Sequence, residues 1–125
     1  MNRTFVGLGA LFALLGVAAG AFGAHALKDR LPPDLLAIFE TGARYQLTHA
    51  LALVLVGLAA AHLPASRALA VSGWAFVAGI VIFSGSLYAL ALTGVRVLGA
   101  ITPFGGVAFM TGWALLAWAA WRSAG

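Results

Sequence analysis

Four stretches of this sequence, each 18 to 22 residues long, contain no Asp, Glu, Lys or Arg: residues 5–26, 46–63, 71–92 and 102–121. A helix rises about 1.5 Å per residue, so each stretch is long enough to cross a hydrocarbon core of about 30 Å. Only helices and closed barrels satisfy their backbone polar groups in lipid, and the alternating strands of a barrel are absent. The sequence therefore predicts an all-α fold, an integral membrane four-helix bundle with antiparallel, up-and-down helices.

The overall composition favours a membrane protein over a soluble one. Hydrophobic residues make up 63% of the 125 residues and charged residues only 8%, whereas a soluble domain carries about 25% charged residues. The formal net charge of +4 comes from basic residues scattered singly, while nucleic-acid-binding proteins concentrate them on one face. Membrane lipids are therefore the expected partners, and nucleic acid is not. The chain has no cysteine, which excludes disulfides and cysteine metal sites.

The start of the chain bears on processing and on domain count. Arg3, an apolar run and small residues near Ala24 and Ala26 loosely resemble a signal peptide, but the run is longer than the core of a usual signal. We expect this segment to remain as a membrane helix. Because no Pro/Gly/Ser-rich linker interrupts the chain, residues 1–125 are expected to form a single transmembrane domain.

A short polar segment separates the first two stretches. Pro32 and Pro33 suit a helix start, and Asp34 complements the dipole of its first turn. Several apolar residues follow at spacings that give one apolar face. Residues 33–44 are therefore predicted to form a short amphipathic helix at the membrane interface. Gly42 is expected to provide a bend into the second span.

The residues that flank the stretches differ between the two membrane faces. One face is predicted to carry an aromatic belt, made of Trp74, Trp118 and Trp121. The same face carries three basic residues, Arg3, Arg67 and Arg122. The other face carries four, Lys28, Arg30, Arg44 and Arg96. Because three against four is a small difference, the positive-inside rule predicts no orientation here.

Glycines recur at helical spacing in the first and last stretches. Gly9, Gly16 and Gly23 are seven residues apart, and Gly105 and Gly112 repeat that step. Small residues let helix backbones approach closely in lipid, where packing replaces the hydrophobic drive. The two stripes are therefore expected to serve packing within the bundle, an interface in a homo-oligomer, or both.

The uncharged polar side chains of the four stretches are concentrated towards one membrane face. Up-and-down helices bring the ends of the first and third stretches beside the starts of the second and fourth, and polar groups in lipid face the bundle interior. Glu40 and Arg44, one turn apart, are expected to form an ion pair that closes this region from the water side. We predict a buried, inward-facing ligand-binding site made of His25, Tyr45, Gln46, His49, Ser84, Ser86, Tyr88 and Thr102.

The sequence resembles the YgdD-type family of small inner-membrane proteins in four segments that occur in the same order: GAFGAHALK, YQLTHALAL, FSGSLYAL and ITPFGG. The resemblance covers nearly the whole chain and places the predicted site residues, together with Pro103, Gly105 and Gly106, at signature positions. It implies a four-helix protein of the bacterial inner (plasma) membrane. The family is grouped under a domain of unknown function, so the resemblance implies no activity.

Four functions are open for the predicted site. In the first, it is structural, with interhelical hydrogen bonds of roughly 0.6 to 2 kcal/mol each. In the second, it binds or transports a solute or protons, since histidine titrates near neutral pH, although no acidic residue lies within a stretch. A metal site has only His25 and His49, too few ligands for structural zinc. An enzyme with Ser84 or Ser86 as nucleophile lacks a G-x-S-x-G motif and an acid to orient its base.

The sequence favours a structural, scaffold or assembly component of the membrane. This interpretation assigns the chain no catalytic residues, no cofactor and no metal. The alternative is small-solute, proton or lipid binding or transport through the predicted polar site. The sequence identifies no small-molecule substrate for that alternative.

Overall fold

A computed structural model describes residues 1–123, and every regular element within them is helical. A π-helical turn at Gly23–Leu27 extends the first helix, and another at Ile80–Ser84 joins the third and fourth helices into one continuous rod. A short 3₁₀ turn at Arg96–Ala100 precedes the last helix. The chain thus forms four long helical segments. The α-helices are α1 (Arg3–Phe22), α2 (Pro33–Ala59), α3 (Arg67–Gly79), α4 (Gly85–Thr93) and α5 (Thr102–Ser123).

Local capping explains where the helices begin. The Asn2 side chain accepts a hydrogen bond from the Phe5 N–H at 3.1 Å and so starts α1. The Ser66 hydroxyl does the same for the Leu69 N–H at 3.1 Å at the start of α3. Pro33 occupies the first turn of α2, where its missing N–H costs nothing. The residues at the N-termini of α1, α2 and α3 therefore determine where these helices begin.

A left-handed glycine ends α4. Gly94 has φ of 72°, and its N–H donates to the Leu90 carbonyl at 2.8 Å. Glycine carries no Cβ and adopts this conformation without steric cost. The chain then reverses through the 3₁₀ turn into α5, so that the polar residues of α4 and the start of α5 lie beside each other.

Three of the four helical segments are long and apolar enough to cross a membrane: Arg3–Leu27, Arg67–Thr93 and Arg96–Arg122. The segment that does not meet this criterion is α2, which the sequence predicts to contain the second span. Its first half carries Glu40, Arg44, Gln46 and His49, which lower its hydropathy. The chain is therefore all-helical with three candidate spans and a fourth, more polar helix.

The boundaries of α2 differ from those predicted. A single unbroken helix, Pro33–Ala59, contains the residues predicted as an interfacial helix and most of those predicted as the second span. The expected bend at Gly42 is absent. Gly42 is buried against Tyr88 instead, and a Cβ atom at this position would lie 2.9 Å from Tyr88 Cε1. Glycine at this position allows α4 to pack closely against α2. The helix continues through Gly42.

Helix α2 lies at the centre of the fold. Its residues Leu53 and Val56 are completely buried, as is Phe76 of α3, and they form the main core together with Phe5 of α1. A smaller core surrounds Phe39, near the start of α2. The most polar of the four helical segments thus has ten buried residues, as many as the rod, and packs between α1 and the rod. This is the expected arrangement where polar groups must avoid lipid.

The glycine stripes pack within the molecule. Gly9 and Gly16 of α1 are buried against α2, and a Cβ atom on Gly9 would lie 2.8 Å from the Ala50 carbonyl oxygen. On α5, Gly105 is buried against Phe83 and Gly112 against Phe76. Intramolecular packing therefore accounts for these stripes, and a homo-oligomer stays a prediction.

One end of the molecule brings together the start of α1, the end of α2, the start of α3 and the end of α5. The Asn2 N–H donates to the Gly57 carbonyl at 2.9 Å, which joins α1 to α2. Arg67 and Arg122 line the same surface groove between α3 and α5. We call this region the arginine end, defined by Arg3, Arg67 and Arg122.

Candidate functional site

Six of the predicted polar residues form side-chain hydrogen bonds between the middle of the bundle and the end opposite to the arginine end. We call that part of the molecule the cluster end. It contains the π turn of α1, the first half of α2, the α4 part of the rod and the start of α5. We name the six residues the polar cluster: Gln46, His49, Ser84, Ser86, Tyr88 and Thr102. Gln46 bonds to Tyr88 and Ser86 to Thr102, whereas His49 and Ser84 bond to other partners.

Gln46 connects three helices through its side-chain amide. Its Nε2 donates to the Phe12 carbonyl of α1 at 2.9 Å, and its Oε1 accepts from the Tyr88 hydroxyl of α4 at 2.7 Å. The Gln46 side chain is buried, with only 5% of its surface exposed. One buried amide on α2 thus satisfies a backbone carbonyl and a phenol on two neighbouring helices. This contact is geometrically demanding and holds α1, α2 and α4 in one register.

Ser84 makes a second link between α2 and the rod. Its hydroxyl donates to the Gly42 carbonyl at 2.7 Å, and its side chain is only 1% exposed. The absence of a side chain at Gly42 allows the rod to approach α2 to this distance. Ser84 is also the last residue of the π turn Ile80–Ser84, a wide turn that commonly re-aims a side chain within a helix.

Ser86 and Thr102 join the rod to α5. Their hydroxyl oxygens lie 2.6 Å apart, and the Ser86 hydroxyl donates to the Phe83 carbonyl at 2.9 Å. Because Ser86 has a single hydroxyl proton, Thr102 must be the donor in the Ser86–Thr102 bond. The chain of hydrogen bonds therefore runs from Thr102 through Ser86 to the Phe83 carbonyl.

The hydrogen-bond partners of His49 fix its tautomer. Its Nδ1 lies 2.8 Å from the Tyr45 carbonyl, which can only accept, so Nδ1 carries a proton. Its Nε2 lies 3.1 Å from the indole Nε1 of Trp113, which can only donate, so Nε2 carries none. His49 is therefore neutral, and both ring nitrogens are in use. The ring also stacks on Phe109 with centroids 3.6 Å apart.

This arrangement leaves His49 without a nitrogen for a metal ion or a relayed proton. No group of three or more His, Asp or Glu residues with metal-binding geometry occurs within residues 1–123. A proton relay through His49 would require its bond to Trp113 or to Tyr45 to break first. The His49 ring is held between α2 and α5 by its hydrogen bonds to Tyr45 and Trp113 and by its stacking on Phe109.

Two predicted site residues lie outside the polar cluster. His25 is in the π turn that extends α1, and its side chain is exposed, so the prediction that it faces inward is wrong. The Tyr45 ring lies against Phe83, with centroids 4.6 Å apart and the ring planes tilted by 34°, but Tyr45 is 41% exposed. The π turn is the physical reason for the first difference, because its wider turn rotates the residues that it contains relative to the preceding α-helical face.

The predicted ion pair between Glu40 and Arg44 does not form, and both side chains are exposed. The one ion pair within the described part of the chain joins Arg96, before α5, to Asp34 in the first turn of α2. The hydrogen bond from Arg96 lowers the pKa of the Asp34 carboxyl. Because both side chains are more than half exposed, this pair contributes little to stability. The pair connects the turn before α5 to the first turn of α2 at the surface of the cluster end.

Sequence reasoning missed Trp113 and the backbone acceptors of the polar cluster. Trp113 was detectable in principle, since it lies in the middle of an apolar stretch whereas the other tryptophans lie near stretch ends. It also follows Phe109 by four residues, which places both on the face of α5 that meets His49. The carbonyls of Phe12 and Gly42 give no signal in a sequence. That ligands bind to the predicted residues stays a prediction.

Comparisons with known proteins found a family model and relatives that match the chain. The model of the DUF423 family, described as a protein of unknown function, matches residues 19–106, which include the whole polar cluster. The UPF0382 membrane protein YwdK of Bacillus subtilis (strain 168) is 47% identical over 118 residues, covering 94% of this chain and 96% of the relative.

A second relative covers nearly the same extent. A UPF0382 membrane protein of Staphylococcus epidermidis (strain ATCC 12228 / FDA PCI 1200) is 48% identical over 123 residues, which is 98% of this chain and 99% of the relative. No solved structure matches the chain. The similarity therefore extends over entire proteins that are named as membrane proteins.

Proposed function

We propose that this chain, which belongs to the DUF423 family of UPF0382 membrane proteins, is a structural component of the bacterial inner membrane, acting as a scaffold or in assembly. In this proposal the polar cluster stabilises a four-helix bundle and neither binds a solute nor catalyses a reaction. The observation that carries the proposal is the complete internal pairing of the cluster.

The pairing is complete in a specific sense. Within residues 1–122, no buried side-chain nitrogen or oxygen lacks a hydrogen-bond partner. Gln46 uses both ends of its amide, and His49 uses both ring nitrogens. A binding site for a polar solute needs donors or acceptors that are free to meet it. Interhelical hydrogen bonds of this kind contribute about 0.6 kcal/mol each on average in membranes.

The proposal includes a membrane crossing by α2, antiparallel to its neighbours. Two contacts support it: Gly57, near the end of α2, meets Asn2 at the start of α1, while Gly23 in the π turn of α1 meets Phe39 near the start of α2. Enclosure by three apolar segments would allow the polar half of α2 to lie at membrane depth. The first turns of α2, which carry Asp34, would then lie at the interface, as predicted for residues 33–44.

The alternative function, binding or transport of a solute, protons or lipid through the cluster, would require a cluster group to exchange an internal partner for the ligand. Tyr45 is the predicted residue best placed for such an exchange, since it is exposed beside His49. A structural role and a binding role predict different consequences when internal hydrogen bonds are removed.

The experiment that tests the proposal replaces Tyr88 by Phe, with Tyr45→Phe as the matched control. Tyr88→Phe removes the donor to buried Gln46 Oε1, whereas the Tyr45 side chain is exposed. We expect Tyr88→Phe to lower the free energy of unfolding by about 1 kcal/mol. Tyr45→Phe should leave it unchanged. Unfolding by SDS in mixed micelles measures both values.

A solute panel completes this test. Wild type and Tyr88→Phe are heated in detergent with metal ions, polyamines and small anions, and the unfolding midpoint is recorded. The structural proposal predicts no solute that stabilises only the wild type. A solute that raises the midpoint of wild type but not of Tyr88→Phe would favour the binding alternative. Equal stability of the two phenylalanine variants would contradict a structural role for the Gln46–Tyr88 bond.

A further inference from the structure

A surface groove at the arginine end combines features that the polar cluster lacks. It lies between the start of α3 and the end of α5 and has a volume of about 630 Å³. Arg67 and Arg122 line it, together with the aromatic side chain of Trp118. Its remaining surface includes the apolar side chains of Val71, Leu115 and Ala119. The groove therefore presents positive charge and apolar surface side by side.

The positions of these residues along the candidate spans order the groove from water to lipid. Arg67 is the first residue of the span Arg67–Thr93, and Arg122 is the last residue of the span Arg96–Arg122. Both arginines therefore mark the depth at which spans reach the interface. Val71 and Leu115 are one to two turns inside those limits, where a hydrocarbon chain lies. Trp118 is intermediate, at the depth that tryptophan prefers.

No acidic side chain balances this end of the molecule. All three acidic residues of the chain, Asp29, Asp34 and Glu40, belong to the segment between α1 and the first turns of α2, at the cluster end. Arg67 makes no ion pair within residues 1–123, and neither does Arg122. The Arg122 guanidinium lies 5.6 Å from the centroid of the Trp118 ring, which holds its charge beside the groove.

Two arginines that line one groove without an Asp or Glu side chain favour an anion between them. Arginine binds phosphate through paired, charge-assisted hydrogen bonds. A free phosphate ion would use only the charged rim of the groove, whereas a phospholipid would also cover Val71, Leu115 and Ala119. Charge and apolar surface together therefore favour an amphiphile over an inorganic ion.

We propose that the groove between α3 and α5 binds one anionic phospholipid, with its phosphate between Arg67 and Arg122 and an acyl chain along Val71 and Leu115. The site is separate from the polar cluster and lies at the opposite end of the molecule. It rests on the proposed four-helix membrane bundle, in which the candidate spans Arg67–Thr93 and Arg96–Arg122 cross the membrane, and it does not depend on the structural role of the cluster.

The test uses the full chain in detergent, titrated with phosphatidylglycerol or phosphatidylcholine, and measures bound lipid by native mass spectrometry. We expect one phosphatidylglycerol to bind at least tenfold more tightly than phosphatidylcholine. Arg67→Gln combined with Arg122→Gln should weaken that binding about twenty-fivefold, the product of about fivefold for each charge near a membrane surface. Arg3→Gln is the matched control, because Arg3 belongs to the same end but does not line the groove.

A second variant tests the apolar part of the groove while both charges remain. Val71 is 44% exposed, so Val71→Trp fills the groove without disturbing the core. We expect it to reduce phosphatidylglycerol binding and to leave the unfolding midpoint in lipid-free detergent unchanged. A lowered midpoint in the absence of lipid would report a folding defect, and the same measurement on Tyr88→Phe reports separately on the proposed structural role.

Three results would overturn the proposal. Equal binding of the two lipids would show that the groove does not select an anionic headgroup. A loss in Arg3→Gln as large as in the double variant would show attraction to the whole arginine end and no defined site. Displacement of the lipid by millimolar inorganic phosphate, with Val71→Trp binding as well as wild type, would identify a site for free phosphate.

Discussion

The two ends of this molecule join their helices by different means. At the cluster end, side-chain hydrogen bonds such as Tyr88 to Gln46 and Ser84 to the Gly42 carbonyl connect different helices. At the arginine end, Gly57 lets α1 and α2 approach until their backbones nearly touch, and Gly9 does the same nearer the middle of the two helices. Both are means of association in lipid, where apolar surfaces gain nothing from leaving water. Polar bonds fix register, and small residues set distance.

The comparison also separates two ways of handling charge. The cluster end carries basic and acidic residues, and Asp34 pairs there with Arg96. The arginine end carries basic residues and no Asp or Glu. An end that satisfies its own polar groups has little capacity for a ligand, whereas an end with unbalanced charge attracts anions. On the two proposals above, the cluster end serves internal cohesion and the arginine end serves contact with a ligand.

The largest effect that tests this comparison is expected where small residues set the distance between α1 and α2, in Gly9→Ala. The new Cβ atom would lie 2.8 Å from the Ala50 carbonyl oxygen and 2.9 Å from the Val54 nitrogen, both of which are backbone atoms. We expect the free energy of unfolding to fall by about 2 kcal/mol, since overpacking forces backbone shifts. Gly20→Ala is the control, because nothing lies within 4 Å of that position. SDS titration that ranks the two variants equally would contradict packing by Gly9.

An intermediate effect is expected at the cluster end, in Trp113→Phe. The phenyl ring keeps the aromatic contact with His49 but removes the donor to His49 Nε2. We expect a loss of about 1 kcal/mol in the free energy of unfolding, the order of one hydrogen bond. Trp121→Phe, at a side chain that is 76% exposed, should cost nothing measurable. If Trp113→Phe and Trp121→Phe unfold alike, the His49 bridge adds nothing to the stability of the cluster end.

The smallest effect is expected at the surface, in Arg96→Gln. The Arg96 hydrogen bond lowers the pKa of Asp34 in the folded protein, so this pair stabilises the fold above the ordinary carboxyl pKa and ceases to do so as pH falls through the lowered one. Arg96→Gln should raise the pKa of Asp34 towards its ordinary value, with little change in stability at neutral pH. NMR of the carboxyl carbon over a pH titration measures the pKa of Asp34. An unchanged pKa in Arg96→Gln would show that Arg96 does not lower it.

Much of the fold could be predicted because the constraint is simple. Stretches without charge must be helical in lipid, and three of the four predicted stretches correspond to candidate spans. The second stretch was harder to delimit because α2 runs from Pro33 to Ala59 without a break. Pro33 marks its start, but nothing in the sequence distinguishes an interfacial turn from the first turns of a long helix. Gly42 suggested a bend, while its use is to admit Tyr88.

The polar cluster was partly predictable for a related reason. Gln46, Ser84 and Ser86 are each buried and hydrogen-bonded, as polar groups within apolar helices must be. His25 was placed wrongly because a π turn changes which side a residue faces, and no residue pattern marks such a turn. The backbone carbonyls that accept hydrogen bonds from Gln46 and Ser84 could not be predicted, since every residue carries a carbonyl group. Sequence therefore indicates which groups need partners and leaves the partners open.

The central position of α2 has a consequence for the order in which the protein is made. On the proposed arrangement, α2 is the one segment that is not apolar enough to insert stably in lipid by itself. The free-energy cost of placing the Gln46 amide in lipid is offset when that amide donates a hydrogen bond to the α1 backbone. The nascent chain would therefore deliver α1 and α2 to the bilayer as a paired hairpin, with α1 shielding the amide as it enters. Tyr88 and Trp113 would complete that shield only when translation of the second half of the chain is finished.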